Sequence, residues 1–105
     1  MMTFWETVVR TNGPQKQKIK AMEEMAELIH AISRDLTNET DRENLAEEMA
    51  DVSIMLEQLL IIYGNWEDVY RLRRLKEDRM RRRMERMERI ERMAKGGTDG
   101  LQATP

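Results

Sequence analysis

The chain contains no cysteine, which excludes a disulfide framework and any thiolate metal site and fits a reducing compartment. It has one histidine, His30, and no Ser/His or Cys/His pairing that suggests a nucleophilic triad. His30 reads as an ordinary surface residue. No glycine-rich loop of the Walker type is present, so that mode of phosphate binding is excluded. The longest wholly apolar run is Leu59-Leu60-Ile61-Ile62-Tyr63, far short of the ~20 residues a membrane span requires. Met1-Met2-Thr3-Phe4-Trp5-Glu6 lacks the basic flank and apolar stretch of a secretory signal, and a cytoplasmic location is expected. β-branched residues are scattered rather than alternating with polar ones, so no strand is predicted, and no internal repeat is visible.

What the chain does have is charge, 36 % of its 105 residues, and that charge is unevenly placed. Residues 1–65 carry 6 Lys/Arg against 12 Asp/Glu, a net −6, whereas residues 66–105 carry 12 against 8, a net +4. One interpretation is two halves that solvate and pair with each other. The other is an acidic half that holds metal and a basic half that holds phosphate.

Helix punctuation is clear. Phe4, Trp5, Val8 and Val9 predict a short amphipathic helix, broken at Thr11-Asn12-Gly13-Pro14. Asn12 or Gly13 suits a cap, and Pro14 suits the first helical position, where its missing N–H costs nothing. A long helix to about Leu36 follows, with Ile19, Met22, Met25, Ala26, Ile29, Ile32 and Leu36 at helical spacing. After a loop at Thr37–Thr40, Thr40 and Glu43 fit a capping box. The helix they open carries Leu45, Met49, Val52, Met55, Leu56, Leu59, Leu60 and Tyr63, and stops at Gly64. Asn65 is then placed to cap a last helix, which uses Trp66, Val69, Tyr70, Leu72, Leu75, Met80, Met84, Met87, Ile90 and Ala94 and is predicted to end at Gly96-Gly97.

Short connections favour antiparallel neighbours. The expected fold is therefore all-α: an antiparallel helical bundle of three long helices plus a short N-terminal helix, forming a single domain over 1–95 with a mobile tail at 96–105. The third helix is apolar on a second face as well, through Ala46, Ala50, Ile54 and Ile61. A helix apolar on most sides calls for burial on most sides, so oligomerisation is expected to complete the bundle; an oily monomer is the alternative.

Among the acids, Glu24 and Glu27 lie three apart on one predicted helix, and Glu48 and Asp51 lie three apart on the next. At that spacing both side chains of each pair point the same way from successive turns. Two antiparallel helices can thus face one carboxylate pair with another. Four such anions raise one another's pKa unless a cation relieves them. Mg²⁺, which prefers carboxylate and water oxygens and keeps positions open for phosphates, suits that role. All four border the apolar arcs of their helices, whereas Glu43, Glu47 and Glu57 look outward. The spacing alone leaves open a merely solvated pair of acidic faces.

Taken together, Glu23-Glu24-Met25-Ala26-Glu27-Leu28 and Glu47-Glu48-Met49-Ala50-Asp51-Val52 resemble the E-x-x-E … E-x-x-D pattern of the MazG-like nucleotide pyrophosphohydrolases, in the all-α NTP pyrophosphatase superfamily. Twenty residues separate the two halves. Gly13-Pro14-Gln15-Lys16-Gln17 is similar to that family's lead-in to its first metal helix, and the likeness runs from about residue 12 to 80. The resemblance implies Mg²⁺- or Mn²⁺-dependent hydrolysis of a nucleoside triphosphate between its α and β phosphates, by a homodimer or dimer of dimers. It implies Glu24, Glu27, Glu48 and Asp51 as metal ligands and catalytic groups, with one carboxylate or a metal-held hydroxide activating the attacking water. Gln17 would contact the nucleotide. The family often has a Lys and an Asn in the following helix. Here Arg71-Leu72-Arg73-Arg74-Leu75-Lys76-Glu77-Asp78-Arg79 contains no Asn, and Arg71, Arg74, Lys76 and Arg79 stand as candidate phosphate contacts, with base and sugar preference open.

Two other classes compete. The segment from Arg71 to Lys95 holds 12 Lys/Arg, which a nucleic-acid reading would use for phosphate contacts. Glu85, Glu88 and Glu91 beside Arg82, Arg89 and Arg92 instead fit an exposed helix laced with charge pairs, and stacking aromatics are lacking beyond Tyr70. A non-catalytic helical interaction protein would use the stripe Met80, Met84, Met87 and Ile90 to pack another helix.

Overall fold

A computed structural model describes the backbone of residues 1–103 and the side chains of residues 1–96. Four helices follow in order: α1 (Phe4–Asn12), α2 (Pro14–Leu36), α3 (Arg42–Tyr63) and α4 (Trp66–Ala103), with no strand among the described residues. The chain divides into two compact units, Met1–Trp66 and Glu67–Pro105.

In the first unit α1, α2 and α3 pack on one another. Thr3 starts α1 with a complete capping box: its hydroxyl accepts from the Glu6 N–H and its own N–H donates to the Glu6 carboxylate, both at 3.2 Å. Gly13 closes α1 and opens α2 at φ 92°, ψ 140°, a conformation that glycine alone adopts without strain, and Pro14 follows at the first helical position. At the far end, the Thr37 hydroxyl and N–H both donate to the Arg34 carbonyl, and Asn38 turns the chain at φ 62°. Here the expected cap moves by one residue. Thr40 is engaged elsewhere, its hydroxyl donating to Asp35 Oδ1 at 2.6 Å, and Asp41 caps α3 by accepting the Asn44 N–H at 3.0 Å. Gly64 ends α3 in the left-handed region at φ 59°, ψ 30°, as predicted.

The α2 and α3 pairing is antiparallel. As contacts on α2 advance from Gln17 to Glu24 to Glu27, their partners on α3 retreat from Gln58 to Asp51 to Glu48. Among the described residues the buried apolar ones are Val9, Ala21, Ala31 and Met55. Most of the large side chains whose spacing marks α2 as amphipathic stand outside this core. Met22 is 63 % exposed, Ile29 68 % and Leu36 79 %, and Ile19 and Ile32 are also exposed. The periodicity is real, but its stripe faces away from α3 in this chain. The second face of α3 behaves likewise, with Ala46, Ala50 and Ile54 exposed.

The second unit is α4. Its exposed surface carries ion pairs within the helix, Arg71–Asp68 at 3.4 Å, Arg73–Glu77 at 3.0 Å and Lys95–Glu91 at 3.6 Å, and the methionines Met80, Met84 and Met87 are also exposed. The helix runs through the expected stop at Gly96-Gly97 to Ala103. Glycine weakens a helix by roughly 1 kcal/mol per residue without forbidding it, and no proline lies there to end it. The mobile tail expected at 96–105 falls on residues whose side chains, from 97 on, lie outside the described ones.

The two glycine turns should differ in tolerance. A Cβ at Gly13 or Gly64 meets no atom within 4 Å, so any penalty is conformational. Gly64→Asn should be nearly neutral, Gly64→Ala should cost about 1 kcal/mol, and Gly13→Ala about 1–3 kcal/mol. Urea unfolding followed by circular dichroism measures this; a larger cost for alanine at Gly64 than at Gly13, or no cost at either, would contradict the backbone assignment.

Candidate functional site

Helical register places the acids. On α2, Glu24 and Glu27 project from successive turns toward α3; on α3, Glu48 projects back toward them. One carboxylate oxygen from each of Glu24, Glu27 and Glu48 comes within 4.8 Å of the other two. Asp51 is not a member of this close group. It stands one turn further along α3, where its charge acts on both Glu24 and Glu48. Three of the four expected ligands therefore converge, and the fourth flanks them.

Glu24 and Glu48 are half-buried, and Glu27 is exposed. Glu24 Oε2 and Glu48 Oε2 are both shielded from solvent and have no hydrogen-bond partner. Burial without a donor is costly for a carboxylate. Both groups are accordingly pushed above the ordinary value of 4.5. For Glu24 the cause is first desolvation, then the charge of Glu27, then that of Asp51. For Glu48 it is again desolvation first, then Glu27 as both charge and hydrogen-bond partner, then Asp51 and Glu47. A hard dication would relieve this repulsion. The donor set is all oxygen, and two of its oxygens are orphaned, which is the chemistry that Mg²⁺ or Mn²⁺ accepts.

A pocket of about 310 Å³ opens beside the acids, between α1, α2 and α3. Glu24 and Asp51 line it together with Trp5, Gln17, Lys20 and Gln58. Gln17, the expected nucleotide contact, is buried, and its Nε2 donates to Gln58 Oε1 at 2.8 Å. Sequence reasoning missed Gln58, Trp5 and Lys20. A signal for Gln58 did exist: it is a polar residue set among Met55, Leu56, Leu59 and Leu60, seven residues past Asp51. His30 is exposed, as expected of a surface histidine. Arg71, Arg74, Lys76 and Arg79 belong to α4, and all are exposed, with Arg71 paired to Asp68. No helix among the described residues is long and apolar enough to cross a membrane.

The raised pKa values set the sign of a pH effect. A carboxyl held above its unfolded value favours folding while protonated, and that contribution is lost as pH rises through the folded value. In EDTA, Tm should therefore fall as pH is raised from about 4.5 toward neutrality. Added Mg²⁺ should restore it most at the high-pH end, where the carboxylates are ionised. A Tm that rises over this window in EDTA, or a Mg²⁺ effect largest at acid pH, would contradict the cluster as described.

Comparison of the chain with protein-family models, with curated proteins and with solved structures finds no match.

Proposed function

We propose that this protein is a Mg²⁺-dependent nucleoside triphosphate pyrophosphohydrolase of the MazG-like kind, releasing a nucleoside monophosphate and pyrophosphate in the cytoplasm. The observation that carries this reading is the close group of Glu24, Glu27 and Glu48, with two of its carboxylate oxygens buried and unpartnered. A purely structural cluster would leave that repulsion unrelieved.

Glu24, Glu27, Glu48 and the flanking Asp51 would hold the cation. When bound, Mg²⁺ supplies charge neutralisation on the phosphate oxygens and acidifies water. The remaining work falls to side chains. Glu24 and Glu48, fixed by burial, keep the cluster in place. Glu27, the exposed member of the three, meets solvent and is the carboxylate suited to take a proton from the attacking water. Gln17 and Lys20 line the adjoining pocket, where a nucleotide would seat.

The bundle is proposed to be completed by a second copy of the chain. The exposure of the large apolar residues Ile19, Met22, Ile29, Met49 and Leu56 supports this, because a small chain buries little core alone and a second copy would cover them. Sedimentation velocity should give a dimer or a dimer of dimers at micromolar concentration, and a monomer would overturn this part of the proposal.

The activity test is pyrophosphate release from a panel of ribo- and deoxyribonucleoside triphosphates, with Mg²⁺ and with EDTA. Release should require the cation. Glu48→Gln or Asp51→Asn should lower kcat/KM at least about a hundredfold, a loss of several kcal/mol of transition-state stabilisation, while leaving the helical circular dichroism intact. Full turnover in both variants, or turnover in EDTA, would defeat the assignment.

A further inference from the structure

Residues 66–96 of α4 are all exposed. A helix that needs only solvation is polar all round. This one is not. Val69, Met80, Met84 and Met87 keep to one face, and the charged Arg73, Lys76 and Glu91 fill the rest of the same line. Steps along 69, 73, 76, 80, 84, 87 and 91 are all three or four residues, so the line holds one side of the helix for about six turns. Two shallow grooves follow it. The first is lined by Val69, Leu72, Arg73, Lys76, Glu77 and Met80; the second shares Glu77 and Met80 and continues past Met84 to Glu88. Leu75 and Met93 lie off this face.

The charges along the face are ordered. The end nearer the start of α4 is basic, through Arg73 and Lys76, and the other end is acidic, through Glu88 and Glu91. Glu77 is the one acid at the basic end, and it is paired to Arg73 at 3.0 Å. Arg73 lies seven residues before Met80, and Glu91 seven after Met84. Lys76 lies four before Met80, and Glu88 four after Met84. Reversing the helix about the point midway between Met80 and Met84 therefore exchanges base for acid at both levels and methionine for methionine at the centre.

We propose that α4 pairs antiparallel with α4 of a second copy, about a two-fold axis midway between Met80 and Met84. Met80 of one copy then packs on Met84 of the other, while Arg73 and Lys76 come level with Glu91 and Glu88 at both ends. A parallel pair would set Arg73 against Arg73 and Glu91 against Glu91. Methionine, flexible and polarisable, suits such a self-made contact and supplies the affinity. Exposed charge pairs are worth at most about 1 kcal/mol each, enough to set direction. Arg83 flanks the midpoint and faces its counterpart, a repulsion that salt screens. This interface is separate from the one proposed for α2 and α3, and it does not depend on the hydrolase reading.

Cross-linking of the full chain tests this, since the protein has no cysteine of its own. Leu72 and Ile90 are eighteen residues apart, five whole turns, and so share one flank of the line. In the antiparallel pair they come level across the two copies. A short bismaleimide should join the Leu72→Cys/Ile90→Cys variant into a covalent dimer. Neither single variant should link, because equal positions stand about 30 Å apart for 72 and about 24 Å apart for 90, at 1.5 Å per residue. Parallel pairing predicts the opposite, with each single variant linking to itself. Arg73→Glu in the double-cysteine chain should raise the protein concentration needed for half-maximal linking about tenfold, because the two-fold axis repeats the lost pair. Adding Glu91→Arg should restore it. Both changes break in-helix pairs, Arg73–Glu77 and Glu91–Lys95, so restoration reports the contact between copies. Efficient linking of either single variant, no linking of the double variant with its helical circular dichroism intact, or no restoration by Glu91→Arg would overturn the proposal.

Discussion

Like charges brought together by helix packing are the constraint from which the rest of this structure follows. The antiparallel contact of α2 with α3 brings Glu24, Glu27 and Glu48 to within 4.8 Å and strips solvent from one oxygen of Glu24 and one of Glu48. Those oxygens have no donor among the described residues, so the cost of the arrangement is met by proton retention or by a cation. A fold that only needed to be stable would place lysine or leucine at such positions. Holding acids there is what the proposed reading, an anionic phosphate ligand accompanied by Mg²⁺, would require.

The hydrophobic side of the molecule is thin by comparison. Val9, Ala21, Ala31 and Met55 make up the buried apolar set among the described residues, two of them alanines, whose burial removes little area from water. The large side chains, Met22, Ile29, Leu36 and Met49 among them, are left on the outside.

Two kinds of polar burial then sit side by side. The acids repel one another, whereas the buried amides of Gln17 and Gln58 pair with each other at 2.8 Å. The repulsion among the acids is what makes a hard cation the complement proposed for them. The two pairs lie two turns apart on both helices.

The sequence by itself determined the helices and most of their ends. Pro14, Gly64 and the 3.6-residue spacing are local signals, each acting within a turn or two, and α1 to α3 begin and end within a residue of where they point. It erred where a competing partner lay just outside the local window: Thr40 looked like a cap but is held by Asp35, and Gly96-Gly97 looked like a stop but continue α4. The paired acids were legible too, because i, i+3 spacing is a property of one helix. Which acids touch was not. That Glu48 joins Glu24 and Glu27 while Asp51 flanks them depends on the relative rotation of two helices, a degree of freedom that neither helix encodes alone. The same rotation turned the apolar stripe of α2 outward and brought Gln17 against Gln58 across 41 residues of chain. Tertiary packing decided these, since only the contact itself fixes which faces are shared.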